Sequence, residues 1–244
     1  MKINNISLSL QGEGVYTGEP TIFVRLQGCN LVPHCTFCDT TYSQDPNKGE
    51  DVSVGEVVRR VSELAPWYNQ WVCITGGEPL WQSEELEELV SKLKEGMFLV
   101  TVETNGSFKP PRWYTKVSSW SADIKCPSSG VCGASKEDWF GTRPCDQIKF
   151  VVGDYKDLEF TREVLRRHPT YSPTILISPM LPVEEVKVFI HERTMGDGET
   201  WEELRDVFVV ARPFLQEVWN YCIENRVRWS FQNHKIVWGN KKGV

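Results

Sequence analysis

Apolar positions along the chain recur at two spacings. Short runs rich in β-branched and aromatic residues, at 21–26, 71–75, 98–102, 120–124, 148–152 and 174–177, predict strands. Between them the apolar residues fall three and four apart. Val54, Val57, Val58, Val61 and Leu64 form one such stripe, opened by Ser53 and Glu56 at the spacing of a capping box. Leu86, Leu89, Val90 and Leu93 form a second, and a third helix is expected from about 158 to 167. A last helical region is expected from Thr200, where Glu203 completes another capping box, with Pro213 kinking or restarting it before Asn225. Strand–helix alternation implies parallel strands joined by right-handed crossovers. Six such strands predict an α/β fold, an open and incomplete (β/α)6-type barrel whose reactive loops leave the carboxyl ends of the strands.

Bulk composition narrows the function classes. The 244 residues are 40% hydrophobic and 25% charged, values of an ordinary globular protein, with no repeat, low-complexity segment or long linker. A formal charge of −6 argues against nucleic-acid and acidic-membrane partners. No run approaches the length of a membrane span, and the start, Met1-Lys2-Ile3-Asn4-Asn5, does not read as a signal peptide, so a cytoplasmic location is expected. Eight cysteines without a secretion signal point to metal or catalytic chemistry plus buried thiols rather than disulfides. Cys73 and Cys222 are expected in the core. Cys126, Cys132 and Cys145 match no ligand spacing and are also expected to be structural.

The chemistry concentrates at the predicted strand ends. Cys29, Cys35 and Cys38 follow the first strand, within ten residues. Three thiolates with no fourth nearby can hold an iron–sulfur cube with one iron open to a small molecule, unlike a closed structural site. Thr75-Gly76-Gly77-Glu78-Pro79 follows the next strand, where the paired glycines let backbone approach a ligand and Glu78 is placed to hold an ammonium group. Glu103-Thr104-Asn105-Gly106 and Asp123-Ile124-Lys125 end the two strands after that. Four distinctive segments spread over a hundred residues thus converge on one rim. Singly, Gly76-Gly77 and Asn105-Gly106 are also plain turn signals.

The triplet, with Phe37 just before its last cysteine, and the Gly-Gly-Glu-Pro segment together resemble the radical S-adenosylmethionine (SAM) superfamily. The resemblance implies a [4Fe–4S] cluster on Cys29, Cys35 and Cys38, with SAM chelating the fourth iron and giving a 5′-deoxyadenosyl radical on reduction. The usual gap between the first two cysteines is three residues; this chain has five, including Pro33 and His34. His34 is read as an exposed loop residue rather than a ligand. Further segments carry a narrower resemblance: Gln11-Gly12-Glu13-Gly14, Gly18 to Cys29, Cys38-Asp39-Thr40, Asp123 to Gly130, Gln147 to Val151 and Gln232 to Gly239. This ordered set covers nearly the whole chain and is similar to the 7-carboxy-7-deazaguanine synthase (QueE) family.

What that family implies is the radical ring contraction of 6-carboxy-5,6,7,8-tetrahydropterin to 7-carboxy-7-deazaguanine with loss of ammonia. The product serves deazapurine pathways of the queuosine and archaeosine type. On the substrate side the resemblance places Gln11, Gly12, Glu13, Arg25, Thr75, Gln232 and His234. An arginine fork suits the substrate carboxylate, and Gln11 and Glu13 suit the mixed donor and acceptor edge of a pterin. On the cofactor side it places Phe37, Gly76, Gly77, Glu78, Glu103, Asn105, Lys125 and Ser128. Thr40 corresponds to the family's Mg²⁺ position, where oxygen ligands suit a hard cation. Each residue alone has an ordinary alternative: Arg25 in a structural ion pair, Glu13 capping a turn, Thr40 closing the cysteine loop, His234 at the surface. Gln232 stays open between the two.

The implied organisation is a single radical SAM domain over 1–244, with a tail from about 226 to 244 closing the active site. A homodimer and an electron donor such as flavodoxin or ferredoxin are expected with it. Two other functions compete. A glycyl-radical-enzyme activase would carry a protein-docking surface and need no carboxylate grip. An iron–sulfur electron-transfer module would use four local cysteines and leave the Gly-Gly-Glu-Pro segment without a purpose. The insertion between Met180 and Trp201 is unassigned by motif and reads as a lid or dimer contact.

Overall fold

In the computed structural model of the protein, residues 1–65, 70–180 and 213–233 are described. The Thr200–Glu203 capping box, the insertion after Met180, and the tail beyond Asn233, including His234, lie outside the described residues.

The six expected strands form at β2 (Pro20–Leu26), β4 (Trp71–Gly76), β5 (Leu99–Thr104), β6 (Ser119–Ile124), β7 (Gln147–Val152) and β8 (Thr174–Pro179), each pairing in parallel with the next. Three further strands complete an open sheet of nine among the described residues, ordered β3-β1-β2-β4-β5-β6-β7-β8-β9. β1 (Lys2–Leu10) runs antiparallel to β2, β3 (Glu50–Asp51) pairs with β1, and β9 (Arg228–Trp229) pairs in parallel with β8. β1 has a period-two signal of its own in Ile6-Ser7-Leu8-Ser9-Leu10, although it lies outside the β-rich runs noted above.

Each central strand alternates between two environments. Ile22, Val24, Leu26, Val72, Ile74, Val100, Val102, Trp120, Ala122, Ile148 and Phe150 point to the outer face and are fully buried. There they meet α1 (Val54–Leu64) and α2 (Ser83–Glu95), where Val54, Val57, Val61 and Leu86, Leu89, Val90, Leu93 are buried as the spacing predicts, while Val58 is half-buried and Leu64, in the last turn of α1, is exposed. The α1 cap is also as expected, with Ser53 accepting from the Glu56 amide. α3 (Tyr155–Arg167) covers the β7–β8 crossover and begins three residues before the expected start, at an Asp154 cap. The alternate residues, Arg25, Thr75, Glu103, Asp123 and Lys149, belong to the inner, concave face. A parallel sheet covered on both faces carries continuous apolar runs; here polar alternation marks one face as the lining of a cleft.

The helix rhythm fails at two crossovers. Residues 105–118 and 125–146 contain only 3-10 turns. In place of helices, Trp113, Trp120 and Trp139 pack as a tilted stack with ring centroids 5.6 and 5.3 Å apart. The indole nitrogens of Trp120 and Trp139 donate to the carbonyls of Tyr114 and Phe108 at 2.9 and 2.8 Å, so the loops are anchored by large apolar area with both polar tips satisfied.

Cys73, Cys126 and Cys222 are buried, but Cys132 and Cys145 are exposed, against expectation. Both lie on the helix-free 125–146 crossover, where there is no helix face to bury them. No described helix is long and apolar enough to cross a membrane.

Candidate active site

A cleft of about 280 Å³ opens at the carboxyl ends of the strands, and both sets of sequence-predicted residues line it. Cys29, Cys35, Phe37, Cys38, Thr40, Gly76, Gly77, Asn105 and Lys125 line it, as do Gln11, Gly12, Glu13, Arg25, Thr75 and Gln232. Glu103 lines it too, but it bonds Gln11 and Thr75, both expected on the substrate side, rather than the residues expected with it on the cofactor side. Glu78 and Ser128 do not line it, and His234 is outside the described residues.

The cysteine wall is built from backbone. Gly28 N–H donates to the Ser43 carbonyl and Cys29 N–H to the Gln44 carbonyl, at 2.8 and 3.0 Å, which folds the loop onto the 3-10 turn Thr41–Ser43. The Glu78 amide donates to the Gly28 carbonyl at 2.8 Å. A Cβ on Gly77 would stand 2.0 Å from that carbonyl oxygen, so only glycine lets the two loops meet. The two residues that enlarge the first cysteine gap are accommodated outside. Val32 is 88% exposed, Pro33 follows a cis peptide bond, and His34 is exposed and does not line the cleft.

All three thiols are free and half-buried on one wall. Burial pushes the Cys29 and Cys35 thiols up, the latter against the pull of Lys125. A neutral thiol is a poor ligand, and a positively charged metal centre is what converts such a group to thiolate. No three His, Cys, Asp or Glu side chains among the described residues close on a single ion. The donor set fits a cube, whose separate irons take one thiolate each and spread the sulfurs more widely than one ion does.

Glu78 was expected to hold an ammonium group, but its carboxylate is wholly buried among protein donors. It accepts from Leu80 N–H at 2.9 Å, Thr104 Oγ1 at 2.8 Å and Asn105 N–H at 2.7 Å. It therefore pins the turn after β4 to the end of β5. Burial pushes its carboxyl up to about 7 against those three donors. Asn105, positioned by this pin, turns its amide toward the triplet, donating to Asn30 Oδ1 at 3.0 Å and approaching Cys29 Sγ at 3.9 Å. Ser128 is likewise a support: its hydroxyl and amide both donate to the buried Asp157, which also accepts from Gly153 N–H at 2.7 Å. Asp157 thereby ties the loop after β6 to the start of α3.

The facing wall is built from side chains. Gln11 Nε2 and Thr75 Oγ1 donate to the two oxygens of Glu103 at 3.1 and 3.0 Å. Glu13 accepts from Lys149 Nζ at 2.7 Å and from Gln232 Nε2 at 3.0 Å. Asp123 lies between Lys125 at 2.6 Å and Lys149 at 3.5 Å. Burial would raise its carboxyl, but the two lysines outweigh burial and hold it below its ordinary value. Arg25 lies over the Tyr42 ring, 5.8 Å from the centroid, and forms no ion pair with a carboxylate of the described residues. Opposite it on β1 stands Asn5, which also lines the cleft. Two acceptors here, Asn5 Oδ1 and Gln232 Oε1, are buried with no hydrogen-bond partner among the described residues. Thr40 Oγ1 donates to Asp39 Oδ1 at 2.9 Å at the rim.

Lys149, Asp123, Tyr42 and Asn5 are cleft residues that single-residue reasoning did not assign. For Lys149 and Asp123 the available signal was polar alternation in strands expected to be apolar, as in Gln147-Ile148-Lys149-Phe150.

Residues 23–117 match the sequence profile of the Radical SAM superfamily. A 7-carboxy-7-deazaguanine synthase of Methanospirillum hungatei is 43% identical over 74% of this chain and 73% of its own length. The one of Koribacter versatilis is 35% identical over the full length of both. Among solved structures, QueE from Escherichia coli aligns with a TM-score of 0.62 at 21% identity, over 96% of this chain and 94% of that one, a likeness of fold. The profile, the length of the matches and the shared fold agree: this chain belongs to the 7-carboxy-7-deazaguanine synthase family of radical SAM enzymes.

Proposed function

We infer that this protein converts 6-carboxy-5,6,7,8-tetrahydropterin to 7-carboxy-7-deazaguanine with loss of ammonia. The observation that carries the reading is the meeting, in one cleft, of the three-cysteine wall with Arg25, Glu13, Gln11 and Gln232. Cys29, Cys35 and Cys38 would hold the cluster, which with SAM supplies one-electron chemistry that opens a carbon–hydrogen bond of the substrate.

The chain's own residues bind and orient. Arg25, with no carboxylate partner among the described residues, offers a fork of two parallel N–H donors to the substrate carboxylate. Glu13 and Gln11 accept from and donate to the amide–amine edge. Gln232 Oε1, buried and unpaired, gains a partner when a donor of that edge arrives; an unmet buried acceptor costs about 1–3 kcal/mol. That gain is realised only with the right ligand. Thr40 and Asp39 would place Mg²⁺ beside the carboxylate end. A small iron–sulfur or flavin protein would supply the electron, and the protein would act as a homodimer.

The test is anaerobic reconstitution with iron and sulfide, then addition of SAM, reductant, Mg²⁺ and carboxytetrahydropterin, with mass-spectrometric detection of carboxydeazaguanine. Product is expected. An intact cluster that cleaves SAM but yields no carboxydeazaguanine would overturn the substrate assignment. Omitting Mg²⁺ should raise KM if Thr40 and Asp39 act as stated.

A further inference from the structure

Lys149 sits in the floor of the cleft with its side chain 13% exposed. Its Nζ donates to Glu13 Oε2 at 2.7 Å and stands 3.5 Å from Asp123 Oδ1, while Asp123 Oδ2 accepts from Lys125 Nζ at 2.6 Å. Four charges of alternating sign therefore run from the loop after β1 to the loop after β6, which stands on the cysteine side.

Lys149 from β7 and Gln232 from the C-terminal segment are among the groups that meet Glu13. Those facing Lys149 are Asp123 from β6, Glu103 from β5 and Glu13 itself. Burial would lower Lys149, but these three carboxylates hold it well above its ordinary value, so it stays an ammonium and offers no base. Its effect is on its neighbour. The 2.7 Å contact fixes one Glu13 oxygen, and with it the direction in which the carboxylate accepts from a pterin edge that presents donors.

We propose that Lys149 is a positioning residue for substrate recognition, holding Glu13 as an oriented acceptor and tying it through Asp123 to the cofactor-side loop. This rests on the pterin reading above. Lys149 then contributes to affinity through Glu13, and the two residues act as one unit.

A double-mutant cycle reads that unity directly. The probe is 6-carboxypterin, a fluorescent oxidised analogue with the same edge and carboxylate, titrated into cluster-loaded protein with SAM and without reductant. Lys149→Met and Glu13→Gln are each expected to weaken binding about tenfold. The double variant should be no weaker than either single one. Losses that multiply in the double variant, or an unchanged affinity in Lys149→Met, would overturn the proposal. Lys149→Gln is carried through the same cycle in case the methionine variant fails to fold. The cycle is repeated on KM for carboxytetrahydropterin, with kcat followed separately. Wild-type protein that neither binds the analogue nor forms product would sink the functional reading itself; wild-type binding and turnover with an additive cycle would remove only the role of Lys149.

Discussion

The wall that carries Cys29, Cys35 and Cys38 and the wall that carries Glu13 and Lys149 face the same cleft, but different forces hold them. On the cysteine side, loops touch backbone to backbone: Gly77 lies where any Cβ would meet the Gly28 carbonyl, and Glu78 spends its carboxylate on Leu80, Thr104 and Asn105. On the other side, carboxylates and ammonium groups hold one another across three strands and two loops. The first arrangement suits a cluster that must sit in one place. The second keeps charges desolvated yet paired, so an incoming ligand meets groups whose direction and protonation are already set.

Variants can separate the two walls. The largest effect is expected from Gly77→Ala, since the clash is with backbone that has no rotamer to yield. Iron–sulfur absorbance after reconstitution should be lost, with a stability fall of about 4 kcal/mol or more in denaturant titration. Normal cluster loading in that variant would show that the loops need not meet. Glu78→Ala orphans three donors and should cost about 3 kcal/mol, with cluster loading impaired through displacement of Asn105.

The same glutamate gives the cysteine wall a pH signature. Its folded value, about 7, lies above its ordinary 4.5, so the folded state holds an extra proton between those limits. The associated stability is complete below the lower value and is lost as pH rises through the upper one. The difference in unfolding free energy between wild type and Glu78→Gln should therefore fall across that window, by at most about 3 kcal/mol. A flat difference would mean the three donors fully offset burial.

On the substrate wall, Arg25→Lys keeps the charge and removes the fork. Pterin binding should weaken about tenfold while cluster absorbance and thermal midpoint are unchanged. The smallest effect is expected at the outer bulge of the cysteine loop. His34→Ala should leave cluster loading intact and stability within about 0.5 kcal/mol. A loss of iron there would make His34 a ligand, against its exposed position.

Much of this was legible in local pattern. The six parallel strands, the stripes of α1 and α2, the Ser53 cap and the cysteine triplet all depend on residues within a few turns of one another, where period and spacing carry the information. The convergence of the cysteine loop, Thr75 to Gly77, Glu103 to Asn105 and Asp123 to Lys125 on one rim followed from strand order, because parallel strands put their carboxyl ends on the same side. Gln11 and Glu13 follow β1, which runs antiparallel to β2, so that rule does not place them. β1 was less visible because its polar Asn and Ser positions line a cleft rather than face water.

What only the tertiary structure decided lies in long-range pairs and in burial. A Gly-Gly-Glu-Pro string does not say whether its glutamate faces ligand or protein; Glu78 faces protein because Thr104 and Asn105, from the next strand, supply donors. Two crossovers carry no helix; Trp113, Trp120 and Trp139 cover that part of the sheet, and Cys132 and Cys145 are left exposed. Glu13 and Lys149 are 136 residues apart, and their contact exists only because β1 and β7 border the same concave face. Period and spacing determined which elements form and which chemistry they carry. Which charged groups meet is set by packing across the sheet, since a Coulomb interaction depends on distance and dielectric, and the chain alone specifies neither.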